Sequence, residues 1–154
     1  MKKIIITGGN GFIGSFLVKK FLKEKYIVLN IDKLSPVSQK IIIKNKNYKF
    51  IQCNLINYKK LVQIFHKFNP DIVLNCAAES HVDRSIKAPN FFIMNNIESL
   101  INILEIIRKK PIKKFIQIST DEVFGSLKLN KKKFNQNSHY SPNNPYACSK
   151  ASCD

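Results

Sequence analysis

The sequence predicts an α/β chain, a parallel sheet with helices wound over both faces. Three observations predict it. Short runs of Ile, Val and Leu alternate with longer segments of helical periodicity. A cluster of glycines stands between the first run and the first helical segment. A single aspartate follows the second run. Apolar runs of this length, separated by helices, read as βα repeats whose sheet is covered on both sides.

Each element follows from its residues. Ile4-Ile5-Ile6 is the first strand and ends at glycines. Phe12 to Lys25 sets Phe12, Ile13, Phe16, Leu17, Phe21 and Leu22 close to helical spacing. Ile27 to Ile31 is the second strand, and Lys49 to Gln52 a shorter third. Leu61, Ile64, Phe65 and Phe68 mark a helix that stops before Pro70. Ile72 to Cys76 is the fourth strand. Asn95 to Arg108, with Ile97, Leu100, Ile101, Leu104 and Ile107, is an amphipathic helix. Phe115 to Ile118 is the fifth strand. Ser126 to Pro145 is rich in Asn, Lys and Pro and reads as a long loop. Tyr146 to Asp154 reads as the first turns of a helix. A helix of about nine residues is marginal unless it packs on something, so the expectation is a C-terminal end that is cut rather than finished.

Composition narrows the function classes. The chain has 154 residues, which suits one ordinary domain. With 44% hydrophobic and 23% charged residues it is neither disordered nor collagen-like. No run of 18 apolar residues exists, and the apolar stretch after Met1-Lys2-Lys3 is too short for a signal peptide; a cytoplasmic protein is expected. Cys53, Cys76, Cys148 and Cys153 form no CxxC and no zinc-ligand spacing, so free thiols and no metal site are expected. The net charge is +16. A nucleic-acid binder is one reading of it. The other is compositional: there are 24 Lys but only 2 Arg, beside 23 Ile and 17 Asn, the residues of A/T-rich codons. Arg, the usual reader of guanine edges, is almost absent. The lysines lie along the whole chain apart from Lys109 to Lys114 and Lys128 to Lys133, so nucleic acid is not the expected partner.

Four motifs carry chemistry. Gly8-Gly9-Asn10-Gly11-Phe12-Ile13-Gly14 satisfies GxxGxxG, and GxGxxG from Gly9, between a strand and a helix. Glycine lets the backbone approach a pyrophosphate, and the helix N-terminus offers N–H groups to it. Asp32 follows the second strand, 18 residues after Gly14, where an acid hydrogen-bonds adenosine ribose hydroxyls and repels a 2′-phosphate. Strand, glycines, helix, strand and acid in that order predict a Rossmann-like, doubly wound sheet that binds NAD. Tyr146 and Lys150 stand four apart on one helix face; a free phenol titrates at about 10, and a nearby ammonium favours the phenolate. Ser119-Thr120-Asp121-Glu122-Val123 follows the fifth strand, at the edge where such sheets bind ligands. Two carboxylates there serve as acid and base if a turn aims both at one cavity; a solvated turn with a capping Asp is the other reading of the same residues. Ala77-Ala78-Glu79-Ser80-His81-Val82-Asp83-Arg84-Ser85 follows the fourth strand and reads as a loop lining the cofactor crevice.

These four motifs, in this order and spacing, resemble the extended short-chain dehydrogenase/reductases, and among them the dTDP-glucose 4,6-dehydratases. The resemblance spans the whole chain, and the Thr120-Asp121-Glu122 triplet is its specific part, since sugar epimerases of the same superfamily lack that carboxylate pair. It implies NAD held by Gly8, Gly11, Phe12, Ile13, Gly14, Asp32, Lys33, Asn54, Leu55, Ala77, Ala78, Tyr146 and Lys150. It implies a nucleotide sugar bound by Ser80 and Thr120. Tyr146 would be the base on the sugar 4-hydroxyl, with Lys150 lowering its pKa and Thr120 binding the reacting hydroxyl. Glu122 would remove the C5 proton and Asp121 protonate the departing C6 hydroxyl, with hydride returned to C6. The product is a 4-keto-6-deoxy sugar nucleotide, an intermediate for cell-surface polysaccharides.

Asn54 and Gln136 stand where the family usually carries acids, Phe124 replaces a Tyr and Ser99 a Gly. Family members also continue past the Tyr-Lys helix into further strands and a substrate domain, and that helix helps build their homodimer. The expectation is therefore an NAD-binding domain over residues 1–154, truncated before its last strands, with the substrate domain absent and the dimer helix incomplete. Substrate orientation contributes about 7–11 kcal/mol to a barrier, so weak or no turnover is expected from these residues alone. A non-catalytic NAD-binding remnant is the competing reading, and a basic nucleic-acid binder on the same scaffold a third.

Overall fold

The computed structural model describes residues 1–36, 38–39, 42–127 and 133–154. Five strands, β1 (Lys3–Thr7), β2 (Ile27–Asp32), β3 (Tyr48–Gln52), β4 (Ile72–Asn75) and β5 (Lys114–Gln117), form one sheet in the order β3-β2-β1-β4-β5. All four pairings are parallel. Among the described residues the helices are α1 (Phe12–Lys23), α2 (Tyr58–Phe68), α3 (Val82–Lys87), α4 (Pro89–Lys109) and α5 (Pro145–Ala151), with a 3₁₀ turn at Asp121–Phe124. The predicted α/β class and all five strands are present.

The chain groups into two compact units. The first comprises Met1–Ala78 and Ser99–Ile118, and the second Glu79–Glu98 and Ser119–Asp154.

The first unit holds the sheet. Alternation along β1 sends Ile5 to one face and Ile4 and Ile6 to the other, all three fully buried. Ile5 packs with Leu29, Ile31, Val73, Leu61, Ile64, Phe65, Ile103 and Ile106. Ile4 and Ile6 pack with Val18, Val28 and Leu74, flanked by Leu17, Phe21 and Leu22. Both faces are therefore dry, as parallel strands require. Asn57 caps α2 by accepting from Lys60 N, and Asn69, in the left-handed region at φ 52°, closes it before Pro70. Two of the clustered lysines are tied to acids: Lys109 to Glu105 at 3.2 Å and Lys113 to Asp71 at 2.8 Å. Of the run Lys128 to Lys133, residues 128–132 lie outside the described residues.

The second unit holds α3, the 3₁₀ turn, α5 and residues 89–98 of α4. Two helix assignments differ from the sequence reading. Val82–Lys87 is helical where a loop was expected. Six residues show no periodicity, and the segment is held instead by Ser85, whose hydroxyl donates to Val82 O at 2.6 Å and accepts from Tyr146 N at 3.2 Å. Helix α4 begins at Pro89 rather than Asn95. The run Phe91-Phe92-Ile93-Met94 is uniformly apolar and hides the helical period, whereas Pro89 supplies a φ suited to a first turn. Among the described residues of 126–144 no strand or helix occurs, in line with the expected loop. No helix among the described residues is long and apolar enough to cross a membrane. The four cysteines are thiols, and no group of three or more His, Cys, Asp or Glu among the described residues is placed to hold a metal.

Candidate functional site: a glycine loop and an acid–base cluster

The glycine loop belongs to the first unit. It joins the carboxyl end of β1 to α1, and its spacing is set by backbone packing. Gly8 sits at φ +66°, and a Cβ there would lie 2.8 Å from the backbone of Ala77. A Cβ on Gly14 would lie 2.2 Å from the carbonyl oxygen of Gly8. One glycine thus lets the loop touch the segment after β4, and the other lets α1 close on the loop. Gly11 is the N-cap residue of α1 and gives it no side-chain cap. Phe12 and Ile13, in the first turn, are exposed at 73% and 52%. A helix N-terminus without a capping side chain is a ready anion site. The residues present therefore fit the pyrophosphate of a dinucleotide.

Asp32 closes β2 and is buried. Its Oδ2 accepts from Asn10 N at 3.0 Å, and its Oδ1 from Leu34 N at 2.8 Å and Ser38 Oγ at 3.3 Å. The acid is anchored by the glycine loop itself, which fixes its orientation. Thr7, Asn75 and Gln117 are register partners across β1, β4 and β5. Thr7 Oγ1 donates to Asn75 Oδ1, Asn75 Nδ2 donates to Gln117 Oε1 at 2.8 Å, and Ala77 N donates to Thr7 Oγ1 at 3.2 Å. This polar ladder at the strand ends orients the chain entering Ala77 and Ala78. Lys33 is half-buried, Asn54 is exposed with its Oδ1 accepting from Ile56 N, and Leu55 is buried in the core.

The candidate acid–base residues belong to the second unit. Thr120 caps the 3₁₀ turn, its hydroxyl accepting from Glu122 N at 3.3 Å. The expected turn therefore exists, but the cap is Thr120 and not Asp121. Asp121 is exposed and Glu122 half-buried. Helix α5 starts at Asn144, whose Oδ1 accepts from Ala147 N at 2.7 Å, with Pro145 in its first turn. That start buries Tyr146, Ser149 and Lys150 on one face. Thr120 hydrogen-bonds Tyr146, so the turn and the helix meet at the phenol. Asn96 braces the same unit: its Oδ1 accepts from Glu79 N at 2.8 Å, and its Nδ2 donates to Glu79 O at 3.0 Å and Ser149 Oγ at 2.9 Å. Ser80 is exposed between Glu79 and α3.

One expectation needs correction. The resemblance implied a Tyr146 pKa lowered by Lys150. In the structure the phenol lies above its ordinary value: burial raises it, the Thr120 hydrogen bond opposes that, and the carboxylates of Glu122 and Asp121 add to the rise. A phenolate here would lose water and face two carboxylates, and both effects favour the neutral form. Asn96, Ser85 and Asn144 are supporting residues that motif reading did not single out. Only Asn144 carried a local signal, an Asn directly before a helix-opening Pro.

The chain was compared with known proteins. The model of a family described as GDP-mannose 4,6 dehydratase matches residues 5–154. The dTDP-glucose 4,6-dehydratase of Haemophilus influenzae is 38% identical over 165 aligned positions, covering 98% of this chain and 49% of that protein. A crystal structure of a Bacillus anthracis dTDP-glucose 4,6-dehydratase in complex with NAD superposes with a TM-score of 0.87 at 33% identity, covering 99% of this chain and 48% of that one. The UDP-Glc/GlcNAc 4-epimerase of Campylobacter jejuni superposes with a TM-score of 0.91 at 29% identity, covering 99% and 47%. The chain spans about half the length of the curated relatives it matches. With 150 consecutive residues under the family model and a Rossmann-like sheet behind the glycine loop, the chain belongs to the GDP-mannose 4,6 dehydratase family.

Proposed function

We propose that these residues carry the NAD-binding and acid–base parts of a dTDP-glucose 4,6-dehydratase. The observation that carries the reading is the meeting of Thr120, Asp121 and Glu122 with Tyr146 in one compact unit. A 4-epimerase, the other activity named among the similar structures, moves one hydride and one hydroxyl proton. A dehydratase must also take a proton from C5 and give one to a departing hydroxyl, and a paired acid and base suit that demand.

In this reading Gly8, Gly11, Phe12, Ile13 and Gly14 hold the pyrophosphate, and Asp32 with Lys33 holds the adenosine ribose. Asn54, Leu55, Ala77 and Ala78 line the remainder of the cofactor site, with Tyr146 and Lys150 toward the nicotinamide ribose. When bound, NAD supplies the hydride acceptor and donor. Tyr146 takes the proton of the sugar 4-hydroxyl while Thr120 holds that hydroxyl. Burial and two carboxylates oppose a phenolate, so the step draws on positive charge, and Lys150, one helical turn along α5, is the cation assigned to it. Glu122 takes the C5 proton, made acidic by the 4-ketone. Asp121, the more exposed of the pair, protonates the C6 hydroxyl as it leaves as water. Ser80 contributes to nucleotide-sugar binding. The protein is read as cytoplasmic and as a homodimer, with residues 1–154 forming the cofactor domain.

The test is turnover. The chain is incubated with NAD and dTDP-glucose, and loss of water from the sugar nucleotide is followed by mass spectrometry. Product that disappears in Tyr146→Phe supports the reading. A folded chain that binds NAD and yields no product is an NAD-binding module without this chemistry on its own.

A further inference from the structure

Asn144 makes hydrogen bonds through both ends of its side-chain amide. Its Oδ1 accepts from Ala147 N at 2.7 Å and starts α5. Its Nδ2 donates to Glu122 Oε2 at 3.0 Å, and lies 3.4 Å from Asn143 Oδ1. An amide has one oxygen and one NH₂ group on a rigid plane. Capping consumes the oxygen, so the NH₂ group is left to face the 3₁₀ turn. An ionised carboxylate is a pure acceptor, and charge-assisted bonds of this kind are the stronger ones. Asn144 and Glu122 are both half-buried and belong to the same unit, which spares the contact part of the screening of an exposed pair.

We propose that Asn144 is a positioning residue for Glu122, tying the carboxylate to the start of the helix that carries Tyr146. The inference rests on the reading of Glu122 as the C5 base. With Oε2 engaged by the amide, the proton-accepting role falls to Oε1. Tyr146 stands two residues after Asn144, so a single side chain registers both proton acceptors against the same helix N-terminus. A cap alone would be met by Asp, Ser or Thr. Only a cap that is also a donor on its far side reaches Glu122 in this way.

The test is a double-mutant cycle on unfolding, with Asn144→Asp, Glu122→Gln and the pair combined. Asp keeps a good N-cap but sets carboxylate against carboxylate. In the combined variant the new amide at position 122 donates to the new carboxylate at position 144, so the bond returns with its polarity reversed. The expected result is a combined loss smaller than the product of the single losses, by about tenfold in the unfolding constant. Losses that simply multiply overturn the proposal and leave Asn144 as a cap. Should Asn144→Asp fail to fold, Asn144→Ser replaces it in the cycle. Serine keeps the cap and is too short to reach Glu122, so the wild-type bond is counted in both single losses but only once in the combined one; coupling with Glu122→Gln is again expected, and losses that simply multiply overturn the proposal equally. Where the wild-type chain turns over, Asn144→Ser is expected to lower kcat by about 10²-fold with KM unchanged, and an unchanged kcat overturns the proposal. A wild type without turnover removes the kcat readout, and the unfolding cycle then decides this inference by itself.

Discussion

In the first unit a large apolar set that includes Ile4, Ile5, Ile6, Val18, Val28, Leu29, Ile31, Leu61 and Val73 outnumbers the buried polar residues Thr7, Asn10, Ser15, Asn30, Asp32, Asn75 and Ser99. In the second unit Phe92, Val123 and Ala147 share the interior with Ser85, Asn95, Asn96, Ser149 and Lys150. Apolar burial is non-directional and tolerant of small shifts in angle. Hydrogen bonds fix direction to within a few tenths of an ångström. The first unit therefore supplies stability and a rigid glycine loop, while the second spends its interior on orientation. Proton transfer needs donor and acceptor at hydrogen-bonding distance, and the residues proposed for acid–base work occur in the unit richer in buried polar partners.

Three measurements would break or sharpen this contrast. The largest effect is expected in the first unit. Ile5→Ala removes a fully buried side chain from a two-sided sheet and should cost about 2–5 kcal/mol in denaturant unfolding. A loss under 1 kcal/mol would mean that the sheet is not the stabilising element. A middle-sized effect is expected at Asn96 in the second unit. Asn96→Ala removes the side-chain bonds to Glu79 N and Glu79 O and one of the two bonds of Ser149 Oγ, which still donates to Tyr146 O, and should cost about 1–3 kcal/mol. No cost would show that the polar interior is ornamental to stability. The smallest effect is a slope. Tyr146 has its pKa raised in the folded state, chiefly by burial, so the folded chain holds this proton more tightly than the unfolded one. Its contribution to stability is complete below the unfolded phenol value of about 10 and is lost as pH rises through the folded value. Unfolding free energy should therefore fall less steeply above pH 10 in Tyr146→Phe than in the wild type. Equal slopes would place the phenol in a solvated setting and remove the argument that a cation must assist it.

The two units also differ in how far their sequence could be read. Repeated short apolar runs, a glycine cluster and a following acid are local patterns, and each maps onto backbone geometry within a few residues. All five strands and the loop from Gly8 to Gly14 were legible for that reason. The opening of α4 at Pro89 was masked because Phe91 to Met94 has no polar residue to mark a period. Helix α3 was illegible because what holds it, Ser85 bonded to Tyr146 N, joins residues 61 positions apart. The motif residues of the second unit were found by their types and order, while their roles toward one another were not.

What the sequence determined by itself is the fold class, the position of the glycine loop, the acid at the end of β2 and the inventory of acid–base side chains. These follow from periodicity, from the φ that glycine allows and from chemistry carried within a single segment. The tertiary structure alone decided which carboxylate has a partner, which residue caps the turn and in which direction Tyr146 is displaced. Asn144 meets Glu122 across 22 residues of chain, and the phenol responds to burial and to charges brought from the 3₁₀ turn. Hydrogen-bond partnership and desolvation depend on distances through space, and those distances exist only once the chain has folded.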